Sequence, residues 1–393
     1  MKKSQIISGI VLLAVLAGCS GGTKQVADEL ITVDVTVRYP KKELTLQDFM
    51  DVEYVPLETT DDFITMGWLH SVGKNLIIVR NRNRATDGDI YLFDRSGKAL
   101  RKINRLGQGS EEYLFLLGIT LDEAADEIFV NDHWNRKIQV YDLSGNFKRT
   151  LAHLEGRQYA MDIYDFDREN LICRDMALDH DLKENRNVFL VISKQDGSIT
   201  REIELPFKEK VSSNVIELGV GIMPIRNRTL VPLSSSSWSL METSTDTVYR
   251  YNADHTMTPL IVRKPAIASM SPGVFLYPAV MTDQYCFMQT VKAEWDWEKN
   301  VGHERINLMY DKQADALYEC TVYNADMTNK EPVIMTSEIT YGDDEIAFVR
   351  VLEAFDLIEA NEEGKLKGRL KEIAETLEDD SNPVMMLVKY KIR

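Results

Sequence analysis

Cysteine is scarce in this sequence: four in 393 residues, one of them at position 19 beside an N-terminal apolar segment. The other three, Cys173, Cys286 and Cys320, have no second cysteine or histidine within the roughly two to four positions that structural zinc sites use. Three thiols leave at least one outside any disulfide; Cys286 and Cys320, both in strand-like contexts, are the pair that could join. Histidine is also sparse, with His70, His133, His153, His180, His255 and His303 scattered singly, so a zinc site would have to gather them from distant parts of the chain. Positive charge is short: the formal net charge is −16 and no basic cluster exceeds a few residues, so a polyanion would be repelled and nucleic acid is not expected as a partner. There is no Gly-x-Ser-x-Gly elbow, and the Ser234 to Ser237 run before Trp238 reads as a loop. No low-complexity tract occurs, and apolar residues make up 44%, enough for one large domain or two intimate ones with a well-buried core.

What is present begins at the N-terminus. Lys2 and Lys3 precede an apolar run from Ile6 to Ala17, too short for the roughly 20 residues of a spanning helix but suited to an export signal over residues 1 to 18. The signal ends Leu16-Ala17-Gly18-Cys19, which resembles the lipobox of bacterial lipoproteins, whose cysteine is diacylated and becomes the new N-terminus. The resemblance implies lipidation at Cys19, a membrane partner through that lipid, and a flexible tether over 19 to 30 that starts Ser-Gly-Gly-Thr-Lys. No aspartate follows Cys19 and no short acidic run comes after it, so the expected location is the outer membrane, facing the periplasm. Loss of Lys2 and Lys3 takes the mature chain to a charge near −18.

The rest is organised by a repeat. IYLFDRSGKAL (90 to 100) returns as IQVYDLSGNFK (138 to 148), and in both an alternating apolar segment runs into Asp-x-x-Gly, the residues a type I turn takes at its ends. Each copy predicts a hairpin. LLGITLD (116 to 122) and EIFVND (127 to 132) supply two more strands upstream of the second copy, making the four short antiparallel strands of one β-propeller blade. Degenerate copies place the first turn residue at Asp94, Asp142, Ser193, Asn252 and Asp311, in steps of 48, 51, 59 and 59. PVMMLVKYKIR (383 to 393) is a sixth strand of the same kind, displaced by a segment rich in helix formers.

The predicted architecture is therefore all-β: a six-bladed β-propeller over 31 to 393, with a helical insertion at about 357 to 381 in the last blade. Leu366, Leu370, Ile373 and Leu377 read as one face of an amphipathic helix, stopped by Asn382-Pro383. The chain ends on the third strand of blade six, so an N-terminal strand must close that blade. ITVDVTVRY (31 to 39) and VEYVPLE (52 to 58) are both candidates.

The block from Gly107 to Leu151 resembles an NHL-type propeller repeat, with Gly107, Gly109, Tyr113, Gly118, Ile119, Asp132, Asn135, Arg136 and Gly145 at matching places. The whole mature chain, from DVEYVPLETTDD to NPVMMLVKYKI, is similar to the six-bladed β-propeller lipoproteins of gut and oral anaerobes, which are diderm bacteria. That resemblance implies fold and envelope location without a reaction. The family's usual Gly-Pro-Gly-Glu-Tyr stands here as Gly109-Ser110-Glu111-Glu112-Tyr113. Gly107-Gln108-Gly109-Ser110 lacks the lysine and helix of a phosphate loop and reads as the crossover between blades one and two.

Propellers bind ligands at the mouth of the channel, and some relatives by fold are enzymes, so each chemistry must find its residues here. SKQDGSIT (193 to 200) lacks the aromatic of a sialidase Asp box. Calcium in the channel would need carboxylates on one ring of loops, and Asp87, Asp89, Asp132, Asp165 and Asp167 are candidates among many turn formers. Recognition is better marked. NDHWNRK puts His133, Trp134 and Arg136 in one loop, and AEWDWEK puts Trp295 and Trp297 two apart, on one side of a strand, within a polar insertion of blade five. Tryptophan beside charge suits docking of a glycan or peptide, or of an envelope protein. The plainer alternative packs those rings between blades. The functional expectation is a binding or scaffold module without a resident cofactor. The alternative is a metal-dependent propeller hydrolase or lyase, lactonase-like or like the NHL-type lyase.

Overall fold

The computed structural model describes residues 30–81, 87–154, 157, 159–175, 188–336, 340–341 and 344–391. Four segments precede the first blade: β1 (Ile31–Asp34), β2 (Lys41–Thr45), the single turn α1 (Leu46–Phe49) and β3 (Met50–Pro56). Blade one is β4 (Trp68–Val72), β5 (Leu76–Arg80), β6 (Asp89–Asp94) and β7 (Ala99–Asn104). Blade two is β8 (Leu116–Asp122), β9 (Glu127–Asp132), β10 (Lys137–Asp142) and β11 (Phe147–Ala152). Blade three is β12 (Tyr159–Asp165), β13 (Asn170–Asp175), β14 (Phe189–Ser193) and β15 (Ile199–Ile203). A hairpin, β16 (Asn214–Glu217) and β17 (Gly221–Pro224), leads into blade four, which is β18 (Leu230–Ser234), β19 (Ser237–Leu240), β20 (Thr247–Asn252) and β21 (Met257–Lys264). Blade five is β22 (Val274–Met281), β23 (Tyr285–Lys292), β26 (Arg305–Asp311) and β27 (Ala316–Tyr323), with the small hairpin β24 (Trp295–Asp296) and β25 (Val301–Gly302) inserted between its second and third strands. After β28 (Thr340–Tyr341) come β29 (Ile346–Leu352), the helices α2 (Ala354–Glu362) and α3 (Gly368–Ala374), and β30 (Val384–Tyr390). Six mainly antiparallel sheets thus form a six-bladed β-propeller, as the repeat predicts.

Each blade lies between two others, so its middle strands are covered on both faces and read as unbroken apolar runs. Ile78, Ile90 and Leu92 of blade one meet Ile119, Ile128 and Val130 of blade two in one such layer. The outer strand of blade two alternates partly covered and exposed residues, with Leu151 buried, as an edge facing water does.

The Asp-x-x-Gly phrase has a double cause. Asp94 Oδ1 accepts from the Ser96 and Lys98 amides at 2.8 and 3.0 Å, and Asp142 Oδ1 repeats this with Ser144 and Asn146 at 2.9 and 2.8 Å. Gly97 and Gly145 take φ of +87° and +84°, and each turn rests on the outer strand of the preceding blade. A Cβ on Gly145 would stand 2.9 Å from the Ile103 side chain. The glycine is thus also where one blade presses on the next.

Segment 52 to 58 closes the ring. β3 pairs antiparallel with β30 from Met50↔Tyr390 to Pro56↔Val384, forming the outermost strand of blade six. The other candidate, 31 to 39, contributes β1 to blade four, where it runs parallel to β21. β2 does the same on β27 of blade five. The N-terminal chain therefore lies along the rims of blades four, five and six in turn, covering edges that would otherwise be open. Asn382 fastens the closure: it is buried, its Oδ1 accepts from the Thr65 amide at 2.8 Å, and its Nδ2 donates to the Glu58 and Phe63 carbonyls at 2.8 and 2.7 Å.

One expectation is corrected and one open pairing is decided. The insertion is two short helices, because Gly364 at φ +69° ends α2 and the chain runs extended through Leu366, which bridges Met327, before Gly368 opens α3. Leu366, Leu370 and Ile373 still face one core, shared with Val322 and Phe348. Cys286 and Cys320 do not join: they are buried thiols on β23 and β27, with β26 between them. Two strand spacings are roughly 9.5 Å, beyond the reach of a disulfide. The described residues contain no helix long and apolar enough to cross a membrane.

Candidate binding face

Strands in a meander alternate in direction, so loops between second and third strands and crossovers between blades share one face of the disc. The tight turns, Asp-x-x-Gly included, lie on the other. On the loop face of blade two, His133, Trp134, Asn135 and Arg136 join β9 to β10. Asp132, fully buried, holds the loop from beneath: its Oδ2 accepts from Asn135 Nδ2 at 2.7 Å and from the Leu114 amide at 2.9 Å. Arg136, at φ +51°, donates from Nη2 to the Arg157 carbonyl at 2.8 Å and accepts at its own carbonyl from the His153 amide at 2.9 Å. The loop is therefore fixed to the crossovers on both sides.

That fixing holds Trp134 out in solvent, 71% exposed. Phe115 meets its ring edge-on at 6.0 Å, and His133 lies 6.2 Å away on its own loop. Leu114 and Leu154, on the flanking crossovers, are exposed as well. An aromatic surface with a guanidinium at its border can stack on a sugar ring or an apolar side chain while pairing with a carboxylate. Burial, reinforced by His133 and Arg136, pushes His153 down to about 4, so it is neutral at physiological pH. Arg157 is committed to structure: it is buried, with Asp175 at 3.1 Å and Glu202 at 2.7 Å.

Trp295 and Trp297 lie elsewhere. The strand that carries Trp295 ends at Asp296, so Trp297 falls in the turn and the two do not line one strand face. Trp295 lies 5.2 Å from His303 and Trp297 packs on Gly221 of the β16–β17 hairpin, both rings half-buried. Blades two and five face each other across a ring of six. The structure therefore gathers His133, Trp134 and Arg136 in one place and puts Trp295 and Trp297 in another. Sequence reasoning missed Leu114, Phe115, His153 and Leu154. The repeat frame holds the signal for them, since residues just before a first strand or after a fourth share the face of the 133 to 136 loop.

The axis is occupied by protein. β28 pairs parallel with β4 of blade one, and three residues later Asp344 accepts from Ser235 of blade four, the opposite blade, at 2.6 and 2.8 Å. Against the first strand of blade one, Arg80 donates to His70 at 2.8 Å and lies 4.5 Å above the Trp68 ring. Burial, then Arg80 and Arg228, hold His70 well below the ordinary histidine range, so it adds no charge.

The calcium candidates are engaged. Asp87 accepts from Asn81, Asp89 from Asn104, Asp132 from Asn135, Asp165 pairs with Lys194, and Asp167 holds Asn170. Among the described residues no group of three His, Cys, Asp or Glu side chains could hold a metal ion. Gly107 to Tyr113 is the crossover expected, with Glu112 folded back to accept from the Gly109 amide at 2.7 Å and the Tyr113 hydroxyl donating to the Gly88 carbonyl at 2.6 Å.

Comparison with known proteins places this architecture. The profile of the DUF4934 domain of unknown function matches residues 30–389. The chain belongs to the DUF4934 family. No curated protein matches it significantly. A candidate exported protein of Bacteroides fragilis superposes on this DUF4934 chain with a TM-score of 0.62 at 14% identity, covering 92% of this chain and 100% of its own. A DUF4221-family protein of Bacteroides vulgatus covers 88% of the chain and 98% of its own at 10% identity and a TM-score of 0.48. The first of these supports the fold of the DUF4934 chain and nothing beyond it.

Proposed function

We propose that this DUF4934 propeller is an exported, lipid-anchored binding module of the cell envelope, docking a glycan or an apolar segment of an envelope protein on blade two. The observation that carries this reading is Trp134: a large ring held out in water by a loop tied on both sides, at the border of exposed Leu114 and Leu154. Rigid exposed aromatics lose little entropy on binding, which is why they anchor interfaces. Export and anchoring rest on the signal segment and on Cys19 in its lipobox-like setting. A structural neighbour described as an exported protein agrees with export, and the resemblance to propeller lipoproteins of anaerobic diderm bacteria supports the anchor. The periplasmic face of the outer membrane follows from the residues after Cys19. The hydrolase or lyase alternative has no carboxylate or histidine trio among the described residues to support it.

The test is a photocrosslinking amino acid at Trp134 in cells, with one at Gln195 on the turn face as the control, followed by identification of what is caught. A partner caught at 134 and absent at 195 is the expected result. Identical capture at both positions removes the binding face. Membrane partition of the native chain against Cys19→Ala tests the anchor independently.

A further inference from the structure

The β16–β17 hairpin turns apolar surface outward. It leaves the crossover between blades three and four on the loop face, with Ile216 opposite Ile222 across the ladder, both exposed. Its turn carries Leu218, 94% exposed, and Val220, closed by the Val220 amide bonding the Glu217 carbonyl at 3.1 Å with Gly219 at φ +80°. Leucine, valine and isoleucine at the tip of a solvent-facing hairpin reverse the pattern of a soluble turn, which takes Gly, Asn, Asp or Ser. The hairpin is also supported: Trp297 of blade five stands 3.1 Å from where a Cβ of Gly221 would be. Tryptophans beside an apolar tip are the composition that partitions at a membrane interface.

Chain geometry names the occupant. The first described strand, β1, lies on the rim of blade four, the blade that this hairpin enters. Residues 20 to 30 separate Cys19 from it, and at roughly 3.3 to 3.6 Å each they reach up to about 40 Å. The longest first strand, β22, has eight residues and spans roughly 26 Å. The tether is longer than the disc is deep, so it allows either face to meet the membrane, and the hairpin decides between them. Exposed charge on the hairpin and on the neighbouring Trp297 turn is mixed, Glu217 with Arg226 on one and Glu298 with Lys299 on the other, so contact comes from the apolar tip and not from attraction to anionic lipid.

We propose that Leu218, Val220, Ile216 and Ile222 insert into the headgroup boundary of the phospholipid bilayer and tilt the propeller toward it on the side of blades four and five, across the ring from the Trp134 loop of blade two. This rests on the anchored reading above. The lipid holds the molecule at the surface, and the hairpin fixes its orientation, a second contact adding to the first.

The test uses the full chain with its lipid in vesicles of phosphatidylethanolamine and phosphatidylglycerol, carrying an environment-sensitive fluorophore at Leu218→Cys or, on the turn face, at Gln195→Cys. Native thiols do not interfere, since Cys173, Cys286 and Cys320 are buried. The expected result is a blue shift and gain in intensity at 218, quenched by spin label in the acyl region, with none at 195. Adding Val220→Asp, an exposed turn position, reverses the shift. A probe at 218 that reports water while the vesicles carry the protein in flotation overturns the insertion and leaves the anchor standing. Loss of flotation overturns the anchor, and the probe is then read on added vesicles by the same criterion. A blue shift that needs no vesicles and grows with protein concentration identifies a second copy as the occupant, which also overturns the proposal.

Discussion

Gly97 stands so close to Pro56 that a Cβ on it would lie 2.1 Å from the Pro56 carbonyl oxygen. One residue begins the repeat and the other ends the strand that closes the ring. Gly97→Ala must therefore absorb a left-handed φ of +87° and separate two blades. We expect a loss of about 3 kcal/mol or more in urea unfolding. Gly219→Ala, at φ +80° with nothing within 4 Å, isolates the backbone term and should cost only about 1 kcal/mol. Equal losses in the two variants would mean that the inter-blade contact does not matter.

Glu127 predicts an acid limb in stability. Arg149 grips it with two bonds of 2.7 Å, and its Nε donates to the Lys194 carbonyl of blade three at 2.7 Å, so the pair is a joint between blades. These bonds, aided by Lys148, hold Glu127 at about 2, below its ordinary 4.5. The folded state therefore binds this proton more weakly than the unfolded chain. The contribution is fully present above pH 4.5 and is lost as pH falls toward 2. It is on the order of 2 kcal/mol, reduced from the full linkage value by residual hydration. Glu127→Gln should unfold more easily at pH 7 and show a flatter stability profile between pH 4.5 and 2, measured by chemical denaturation at each pH.

The repeat was legible because the same geometry is imposed wherever a turn presses on a preceding blade, and only glycine meets it cheaply. It fades in blades four and five, where His255 and Asp315 take the left-handed position at φ +66° and +49°. Only the strand pattern and spacing remain there to show it. Closure was legible as a need for one more strand, but not as a choice between two, since β1 and β3 are both alternating segments. The choice depends on pairing with β30, more than 300 residues away. The recognition loop was visible as tryptophan between charges. What surrounds it was not, because Phe115 and His153 reach the loop only through the crossovers that the fold brings together.

Trp134 and Trp238 separate the two uses of tryptophan. Trp238 is almost wholly buried, with Phe166 at 4.7 Å, so Trp238→Ala opens a cavity and should cost about 3 to 5 kcal/mol. Trp134→Ala removes a ring that is mostly in water and should change stability by about 1 kcal/mol or less, while abolishing ligand-induced melting shifts in a glycan and peptide panel. A large loss of stability in Trp134→Ala would assign that ring to packing.

Ring closure offers a graded test. Deleting residues through Asp34 removes from the propeller only β1, a four-residue parallel edge on blade four that gives Ile31 and Val33 to its core, and the chain should still unfold in a single cooperative transition. Deleting through Pro56 also removes β3, the outer strand of blade six, with Met50, Tyr54 and Val55 from the cores beside it; that protein should fail to reach a cooperative fold. Asn382→Ala tests the same joint without shortening the chain. It strands the buried Thr65 amide, a group that costs roughly 1 to 3 kcal/mol without a partner, and takes one bond each from the Glu58 and Phe63 carbonyls. The expected signature is early hydrogen exchange in β3 and β30, ahead of blades two and three. Exchange that begins in those blades instead would move the weak point of the ring away from the seam where its two ends meet.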